Sequence, residues 1–347
     1  MKAAQHIAVI GAGMAGIACA RTLAQAGHRV TVLDQGAQVG GRMATRSTAF
    51  GSFDPGAQYF TVRDPRFALA LQSTPGVCRP WSANAVRVLD ARGHVVEAPR
   101  LGSEAHFVGT PDMASVVATW ALPLVQAGQV HSGCRVVGIE RDRIHKKQWQ
   151  LRTSADDGSV HVYDGFDAVV LAIPAAPAQA LLQATSGGRE LAQKLDKVSV
   201  APCWTLMLAF AQASQPGLTT LGPQSNAARS THHRLAWLAR ESSKPRRGQV
   251  ERWTVQASAE WSLEHLQDEP SRVEAKLLKA FAEITGIRAQ PNHTEVHRWL
   301  YAKTLNPLGK SFLWDGKAGI GVCGDWCLGH RVEDAFVSGL EMALKLC

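Results

Sequence analysis

The residues with the clearest chemistry lie near the start of the chain, where glycine recurs with the spacing G-x-G-x-x-G over Gly11–Gly16. A short apolar strand pattern precedes this string, a helical pattern follows it, and Asp34 ends the next strand pattern. Gly11 permits a tight turn, Gly13 lets a phosphate approach the backbone, and Gly16 lets helix and strand pack closely. The arrangement predicts a dinucleotide site, with the pyrophosphate at the helix N-terminus and the ribose hydroxyls on Asp34.

Two later segments place glycine beside a charged residue. Gly40-Gly41-Arg42 follows the second strand pattern directly. Gly324-Asp325 follows a late strand pattern, and a last helix is predicted to begin near Val332. The dipole at that helix N-terminus would favour negative charge on a bound group. Both ends of the chain are therefore expected at one cofactor.

The elements that position these residues follow from the hydrophobic pattern. A strand, a helix and a strand at His6–Ile10, Met14–Gln25 and Val30–Leu33 form a βαβ opening. Pro111 is predicted to open a further helix that runs through Leu122. Strand-like runs predominate after Val198, and the last strand and helix return to the first domain. The predicted fold is α/β, with a discontinuous Rossmann-type cofactor domain over residues 1–75, 105–183 and 305–347 and an inserted sheet-rich α+β substrate domain over 76–104 and 184–304.

Composition excludes several functional classes. The formal net charge is +8, but the basic residues are dispersed, so a nucleic-acid-binding arm or patch is not expected. The densest basic runs, at 141–147 and 244–247, are expected in solvated loops. The seven scattered cysteines argue against a disulfide framework, and their spacing completes no metal site. No apolar run is long enough to span a membrane, and the N-terminus leaves no room for a cleavable leader, so a cytoplasmic location is expected.

The two glycine-containing segments resemble motifs of the flavin amine oxidase superfamily. Gly40–Arg46 resembles its G-G-R-x-x-[ST] element, and Gly321–Gly339 resembles its C-terminal flavin motif. The resemblance implies non-covalent FAD, with Asp325 on the ribityl chain or pyrophosphate and the helix N-terminus near Glu333 facing the flavin pyrimidine. A Val in the register of Val136 would meet the adenine through its backbone. The implied cofactor-binding residues are Gly11, Ala12, Gly13, Met14, Ala15, Gly16, Asp34, Gln35, Gly41, Arg42, Met43, Gln58, Tyr59, Val136, Gly324, Asp325, Arg331, Val332, Glu333 and Ala335.

Segments in the middle of the chain narrow the resemblance to the renalase-like bacterial FAD-dependent oxidoreductases. They include residues 54–61, 107–113, 256–262 and 297–302. The resemblance implies a p-hydroxybenzoate-hydroxylase-like FAD fold and an oxidase of reduced nicotinamide dinucleotide isomers, the 2- and 6-dihydro forms of NAD(P). Hydride would pass to flavin N5, and O₂ would reoxidise the flavin to give H₂O₂. A dihydronicotinamide already donates hydride, so the protein needs to orient it rather than to supply a base.

Four residues are candidates for the substrate pocket: Gln58, Tyr59, Trp299 and Tyr301. Gln58 would orient a carboxamide or the flavin edge, and the aromatic rings would line a nicotinamide slot, although Trp299 and Tyr301 suit a core equally well. Two other functions stay open. An amine oxidase would use Lys303 to hold a water near the flavin, and a flavin-binding protein without turnover would use none of these residues.

Overall fold

The structure is a computed structural model that describes residues 3–81, 86–97, 104–155, 157–211 and 226–347. The predicted substrate-domain residues 82–85 and 98–103 lie outside the described residues. No helix among the described residues is both long and apolar enough to cross a membrane. The helices are α1 (Met14–Gln25), α2 (Pro65–Gln72), α3 (Ala114–Gln126), α4 (Ala175–Ala184), α5 (Arg189–Lys194), α6 (Ala259–Glu264), α7 (Pro270–Thr285) and α8 (Val332–Leu346).

Apolar runs form a six-stranded sheet that draws on both ends of the chain. Its strand order is β19-β20-β13-β1-β2-β9; β19 is antiparallel to β20 and the other neighbours pair in parallel. The central strands are buried throughout because helices and a meander cover both faces. The strands are β1 (His6–Ile10), β2 (Arg29–Leu33), β9 (Val130–His131), β13 (Ala168–Leu171), β19 (Phe312–Asp315) and β20 (Ile320–Cys323).

Helix α1 packs against α8, so the first and last helices of the chain are neighbours. A Cβ on Gly339 would lie 2.1 Å from the carbonyl oxygen of Ala15, which requires glycine at this crossing. The contact holds the C-terminal segment against the glycine-rich turn. A separate antiparallel meander consists of β10 (Arg135–Arg141), β11 (Trp149–Ser154) and β12 (Val160–Phe166). It contributes Val136, Trp149 and Phe166 to the apolar core on one face of the six-stranded sheet.

A seven-stranded sheet forms the other large layer, with the order β18-β14-β17-β16-β15-β6-β7. All its neighbours are antiparallel except β15 and β6. Helix α7 packs its apolar side, including Phe281, against the core on one face. The strands are β6 (Val86–Leu89), β7 (Val95–Glu97), β14 (Ser199–Phe210), β15 (Ala227–Ser230), β16 (Leu235–Arg240), β17 (Glu251–Ala257) and β18 (His293–Asn306).

Two short hairpin-like sheets connect these layers. One pairs β3 (Arg46–Thr48) with β4 (Gly51–Phe53), and the other pairs β5 (Cys78–Trp81) with β8 (His106–Gly109). Strand β4 ends at Phe53, directly before Asp54, and Phe60 forms an isolated backbone bridge with Phe107 of β8. The segment Asp54–Phe60 therefore lies between the two large sheets.

The predicted fold class is confirmed, with two local corrections; the domain boundaries stay a prediction. The helix predicted from Pro111 begins only at Ala114, since the carboxylate of Asp112 accepts the Ser115 N–H (3.0 Å) in the preceding turn. That helix also continues past Leu122 to Gln126, because a proline near the end of a helix removes only one backbone hydrogen bond. The long strand β18 was not predicted, as its polar residues follow no clean alternation.

Candidate functional site

The glycine-rich turn has one open position and two closed ones. Gly11 has a φ of 107°, and a Cβ there would lie 2.6 Å from the carbonyl oxygen of Ala172. A Cβ on Gly16 would lie 1.9 Å from the carbonyl oxygen of Gly11. A Cβ on Gly13 would meet nothing nearer than the Cα of Gly41 at 3.9 Å. Space beside Gly13, at the N-terminus of a helix that no side chain caps, fits the pyrophosphate of a dinucleotide.

Asp34 lies where the ribose of such a dinucleotide is expected. Its carboxylate accepts the backbone N–H of Ala12 (2.5 Å) and of Gly36 (2.7 Å), which fixes its orientation at the end of β2. The Cys134 N–H donates to the carbonyl oxygen of Asp34 (2.8 Å), and the chain then enters β10 at Arg135, one residue before Val136. The structure thus brings Asp34 and Val136 to one edge of the sheet, as a shared adenosine site requires.

Arg42 and Asp325, predicted as separate cofactor ligands, are partners in the structure. The guanidinium donates to both carboxylate oxygens at 2.9 and 2.5 Å, and also to the carbonyl oxygen of Ala302 at 3.3 Å. Asp325 is buried and Arg42 is partly exposed, so the guanidinium keeps a face toward solvent. This bidentate pair joins the N-terminal and C-terminal segments beside the open Gly13 position.

At the start of α8, the acidic side chains are bound to backbone N–H groups of the protein itself. Glu333 is buried, and its Oε1 accepts the N–H groups of Arg63 and Asp64 at 2.6 Å each, so its carboxylate faces the preceding loop. The Arg331 N–H is capped by Asp334 at 2.9 Å. Ser338 lies in the segment that resembles the C-terminal flavin motif, but no role was predicted for it. It accepts the Gly324 N–H at 2.8 Å and fixes the turn before Asp325.

The other predicted cofactor residues are distributed between core and surface. Ala12, Met14, Ala15, Met43 and Ala335 are buried, Val332 is half-buried, and Gln35, Gly41 and Arg331 are exposed. The turn Gly41–Met43 is a single 3₁₀ turn whose glycine approaches Gly13. Their roles toward a cofactor stay predictions.

The segment Asp54–Tyr59, here called the central loop, is fixed by side chains of the seven-stranded sheet. The carbonyl oxygen of Pro55 accepts the Thr205 hydroxyl and the Trp299 indole N–H at 3.0 Å each. The carbonyl oxygen of Gly56 accepts the Gln256 amide at 2.7 Å. A Cβ on Gly56 would lie 2.0 Å from the carbonyl oxygen of Arg42, so the central loop packs directly against the segment Gly40–Arg46.

A buried ionic cluster of Asp54, Glu241, Lys244 and Arg247 supports the central loop. All four side chains are fully buried. Lys244 Nζ lies 3.0 Å from Asp54 and 2.9 Å from Glu241, and Arg247 lies 2.6 Å from Asp54. The prediction that the 244–247 run is a solvated loop is therefore wrong for Lys244 and Arg247, because the neighbouring Glu241 and the distant Asp54 compensate their charges.

Burial and ion pairing act in opposite directions on this cluster. Burial alone would raise the pKa of Asp54, but the charges of Lys244 and Arg247 outweigh it and hold that pKa below its usual value. Burial would lower the pKa of Arg247, and Asp54 and Glu241 raise it instead. The charged forms of Asp54 and Arg247 are thus favoured by their pairing.

The predicted pocket residues take different positions around the central loop. Gln58 is buried; its Nε2 donates to the carbonyl oxygen of Asp54, and its Oε1 accepts Lys244 Nζ at 3.2 Å. Its amide is therefore held by the ionic cluster. Trp299 is half-buried against Pro55, and the Tyr301 side chain is also half-buried on β18. The ring of Tyr59 lies against those of His106 (4.2 Å) and Trp237 (5.5 Å).

Comparisons with known proteins agree with this geometry. The sequence model of the flavin containing amine oxidoreductase family matches residues 112–346, and that of the NAD(P)-binding Rossmann-like domain matches residues 9–71. The flavin-containing monooxygenase FMO GS-OX-like 2 of Arabidopsis thaliana is 31% identical over 178 residues, covering 48% of this chain and 35% of that protein. The L-amino acid oxidase Cdc18 of Crotalus durissus cumanensis is 54% identical over 41 residues, covering 12% and 8%. The chain thus spans about a third or less of either relative.

Two solved structures share the whole architecture. A candidate protoporphyrinogen oxidase from Exiguobacterium sp. 255-15 superposes with a TM-score of 0.75 at 12% identity, covering 100% of this chain and 99% of that one. A putrescine oxidase superposes with a TM-score of 0.73 at 12% identity, covering 99% and 98%. At this identity the likeness establishes the fold and leaves the substrate open.

Proposed function

The chain belongs to the flavin containing amine oxidoreductase family, with FAD as its cofactor, and from this premise we propose that it oxidises reduced nicotinamide dinucleotide isomers. The substrates would be the 2- and 6-dihydro forms of NAD(P). Bound FAD would supply the hydride acceptor and the reaction with O₂. Overall, a dihydronicotinamide, O₂ and a proton would give NAD(P)⁺ and H₂O₂, so two electrons pass from substrate to oxygen.

The central loop carries the proposal. Next to Arg42 it places the half-buried ring of Tyr59 against His106 and Trp237. The buried Gln58 amide, whose Nε2 and Oε1 are engaged by Asp54 and Lys244, holds the loop in place. The nearest buried amine, that of Lys244, is bound to two carboxylates and is unsuited to accept a substrate proton. A site that orients a flat hydride donor needs a fixed ring and fixed polar groups, and it needs no base.

Amine oxidation is the second candidate, and the position of Lys303 favours it. Lys303 is exposed on β18, next to the Ala302 carbonyl that accepts Arg42. Desolvation and then the charge of Lys303 lower the pKa of His330, so this lysine lies near the C-terminal cofactor loop. A lysine there would be placed to hold a water beside the flavin. For either function we propose the cytoplasmic location that the sequence predicts.

The experiment is anaerobic reduction of the purified FAD-loaded protein, followed by its visible spectrum. Aged NADH that contains the 2- and 6-dihydro isomers is added to one sample, and a panel of primary amines to another. We expect rapid loss of the flavin band with the NADH isomers, and its recovery in air with H₂O₂.

Other outcomes separate the alternatives. Bleaching by amines alone would replace the proposal with amine oxidation, and Lys303→Met should then slow flavin reoxidation while FAD stays bound. A protein that neither class of compound reduces would be a flavin-binding protein without this turnover. Lys279→Met is the matched control, because Lys279 is an exposed lysine on α7 whose ion pair is with Glu283.

A further inference from the structure

Beside the central loop, three half-buried rings face one another near β16, the middle strand of the seven-stranded sheet. Tyr59 lies with its ring centroid 4.2 Å from that of His106 in an edge-on contact, and 5.5 Å from that of Trp237. Tyr59, His106 and Trp237 are here called the ring cluster. Trp81 lies behind it, 6.4 Å from Tyr59, and separates the ring cluster from the ammonium of Lys244.

Two polar atoms of the ring cluster have no partner among the described residues. They are Trp237 Nε1 and His106 Nδ1, and both are buried. An indole N–H can only donate, so Trp237 requires an acceptor that the described chain does not supply. Leaving a buried donor unpaired costs about 1–3 kcal/mol, so a partner from outside the described chain, a water or a ligand, would stabilise this site.

Arg229 stands next to this cluster with a free charge. Its Cα is paired with that of Trp237 across β15 and β16, and Trp237 is paired in turn with Gln256, whose side chain reaches the central loop. Residues opposite one another on neighbouring strands share a face of the sheet, so Arg229 is on the side of the loop. The Arg229 side chain is exposed, and in the described part of the chain it makes no hydrogen bond or ion pair.

The electrostatics of His106 agree with this placement. Desolvation lowers its pKa, Glu104 raises it and Arg229 lowers it further, with a net decrease, so the imidazole is neutral at pH 7. A neutral ring with an unpaired Nδ1 can accept a hydrogen bond from an amide N–H. Trp237 donates and His106 accepts, which together match the C=O and NH₂ of a carboxamide.

We propose that Tyr59, His106, Trp237 and Arg229 form the binding site for a carboxamide-bearing aromatic ring that is linked to a phosphate. The inference rests on the proposed function and deepens it. The carboxamide pairs with Trp237 and His106, the ring lies against Tyr59, and Arg229 binds the phosphate through charge-assisted hydrogen bonds. Arg229 is thus the residue that selects phosphorylated over unphosphorylated nicotinamide compounds.

The test measures binding without turnover. Nicotinamide mononucleotide and nicotinamide riboside, which differ only in the phosphate, are titrated into the FAD-loaded protein by calorimetry. The unmodified protein should bind the mononucleotide more tightly. Arg229→Gln should weaken mononucleotide binding by about tenfold and leave riboside binding unchanged, while Arg229→Lys restores part of the difference. Arg143→Gln, at another exposed arginine, is the control and should change neither affinity.

The ring contacts have their own variant. Trp237→Phe keeps the ring and removes the N–H donor, so it should weaken both ligands by a similar factor, about fivefold. Equal losses for both ligands in Arg229→Gln, no loss at all, or no binding of either compound to the unmodified protein would overturn the inference. Reduction of the flavin by the NADH isomers with unaltered binding in Arg229→Gln would overturn it and leave the proposed function standing. If the ligands bind as expected but the NADH isomers do not reduce the flavin, the inference would stand and the proposed function would be overturned.

Discussion

The glycine-rich turn Gly11–Gly16 and the buried ionic cluster of Asp54, Glu241, Lys244 and Arg247 support the same site by opposite means. The turn works through backbone alone, with an open Cβ position and uncapped N–H groups. The cluster works through four charged side chains with no exposed surface, gathered from positions up to 193 residues apart in sequence. The turn leaves space beside the helix N-terminus, and the cluster holds the central loop by filling the space around it.

This difference predicts how each region fails. Removing one member of a buried ion pair leaves its partner as an uncompensated charge in a medium of low dielectric, so the whole fold loses stability. Adding a methyl group to the turn acts locally, and its effect depends on whether the position is open or closed. Stability and cofactor affinity should therefore respond separately in the two regions.

The largest effect is expected from Lys244→Met. The substitution keeps most of the apolar stem but leaves Glu241 and Asp54 with Arg247 as the single remaining cation of the cluster. We expect a loss of about 3–5 kcal/mol in the free energy of unfolding, measured by urea denaturation. The loosened Gln58 amide should also broaden the flavin absorption band of the protein that remains folded.

Lys279→Met is the control for this prediction, since Lys279 is exposed and its contact with Glu283 on α7 is at 4.0 Å. Its stability should change by less than about 0.5 kcal/mol. A loss of similar size in the two variants would contradict the view that the cluster supports the central loop.

The next effect distinguishes open from closed positions of the turn. Gly16→Ala places a methyl group 1.9 Å from the Gly11 carbonyl oxygen, so the apoprotein should lose about 1–3 kcal/mol of stability. Gly13→Ala meets no atom within 3.9 Å and has an ordinary φ of −76°, so apoprotein stability should hardly change. Its methyl group would instead occupy the phosphate space and weaken FAD binding by about tenfold.

Thermal denaturation of the apoproteins and FAD titration together check this pair. Gly13→Ala is the matched control for Gly16→Ala, because both add one methyl group within the same turn. If Gly13→Ala destabilised the apoprotein as much as Gly16→Ala and left FAD affinity intact, the assignment of Gly13 to the pyrophosphate would be wrong.

The same contrast explains what could be predicted from the sequence. The spacing of Gly11, Gly13 and Gly16 and the position of Asp34 are local signals, and they led to the Rossmann-type unit. FAD was predicted from the resemblance of Gly40–Arg46 and Gly321–Gly339 to flavin motifs. Lys244 and Arg247 were mistaken for surface residues because their compensating partner Asp54 lies in a distant segment, and nothing in a single sequence pairs them. The ring cluster was missed for the same reason, since Tyr59, His106 and Trp237 meet only after two sheets assemble.

The smallest expected effect is the response of the ionic cluster to acid. Lys244 and Arg247 hold the pKa of Asp54 below its usual value against the opposing effect of burial, so the native state binds fewer protons than the unfolded state. The stabilisation is complete above the unfolded pKa of about 3.9 and is lost as pH falls through the lower native pKa. The slope from this one group is at most about 1.4 kcal/mol per pH unit. Asp54→Asn should be less stable at pH 7 and show a flatter decline in urea-measured stability between pH 5 and pH 3, with Asp164→Asn as an exposed control whose profile stays close to that of the unmodified protein. Parallel profiles for Asp54→Asn and the unmodified protein would mean that Asp54 does not stay ionised in the folded chain, and the buried cluster would then need a different charge balance.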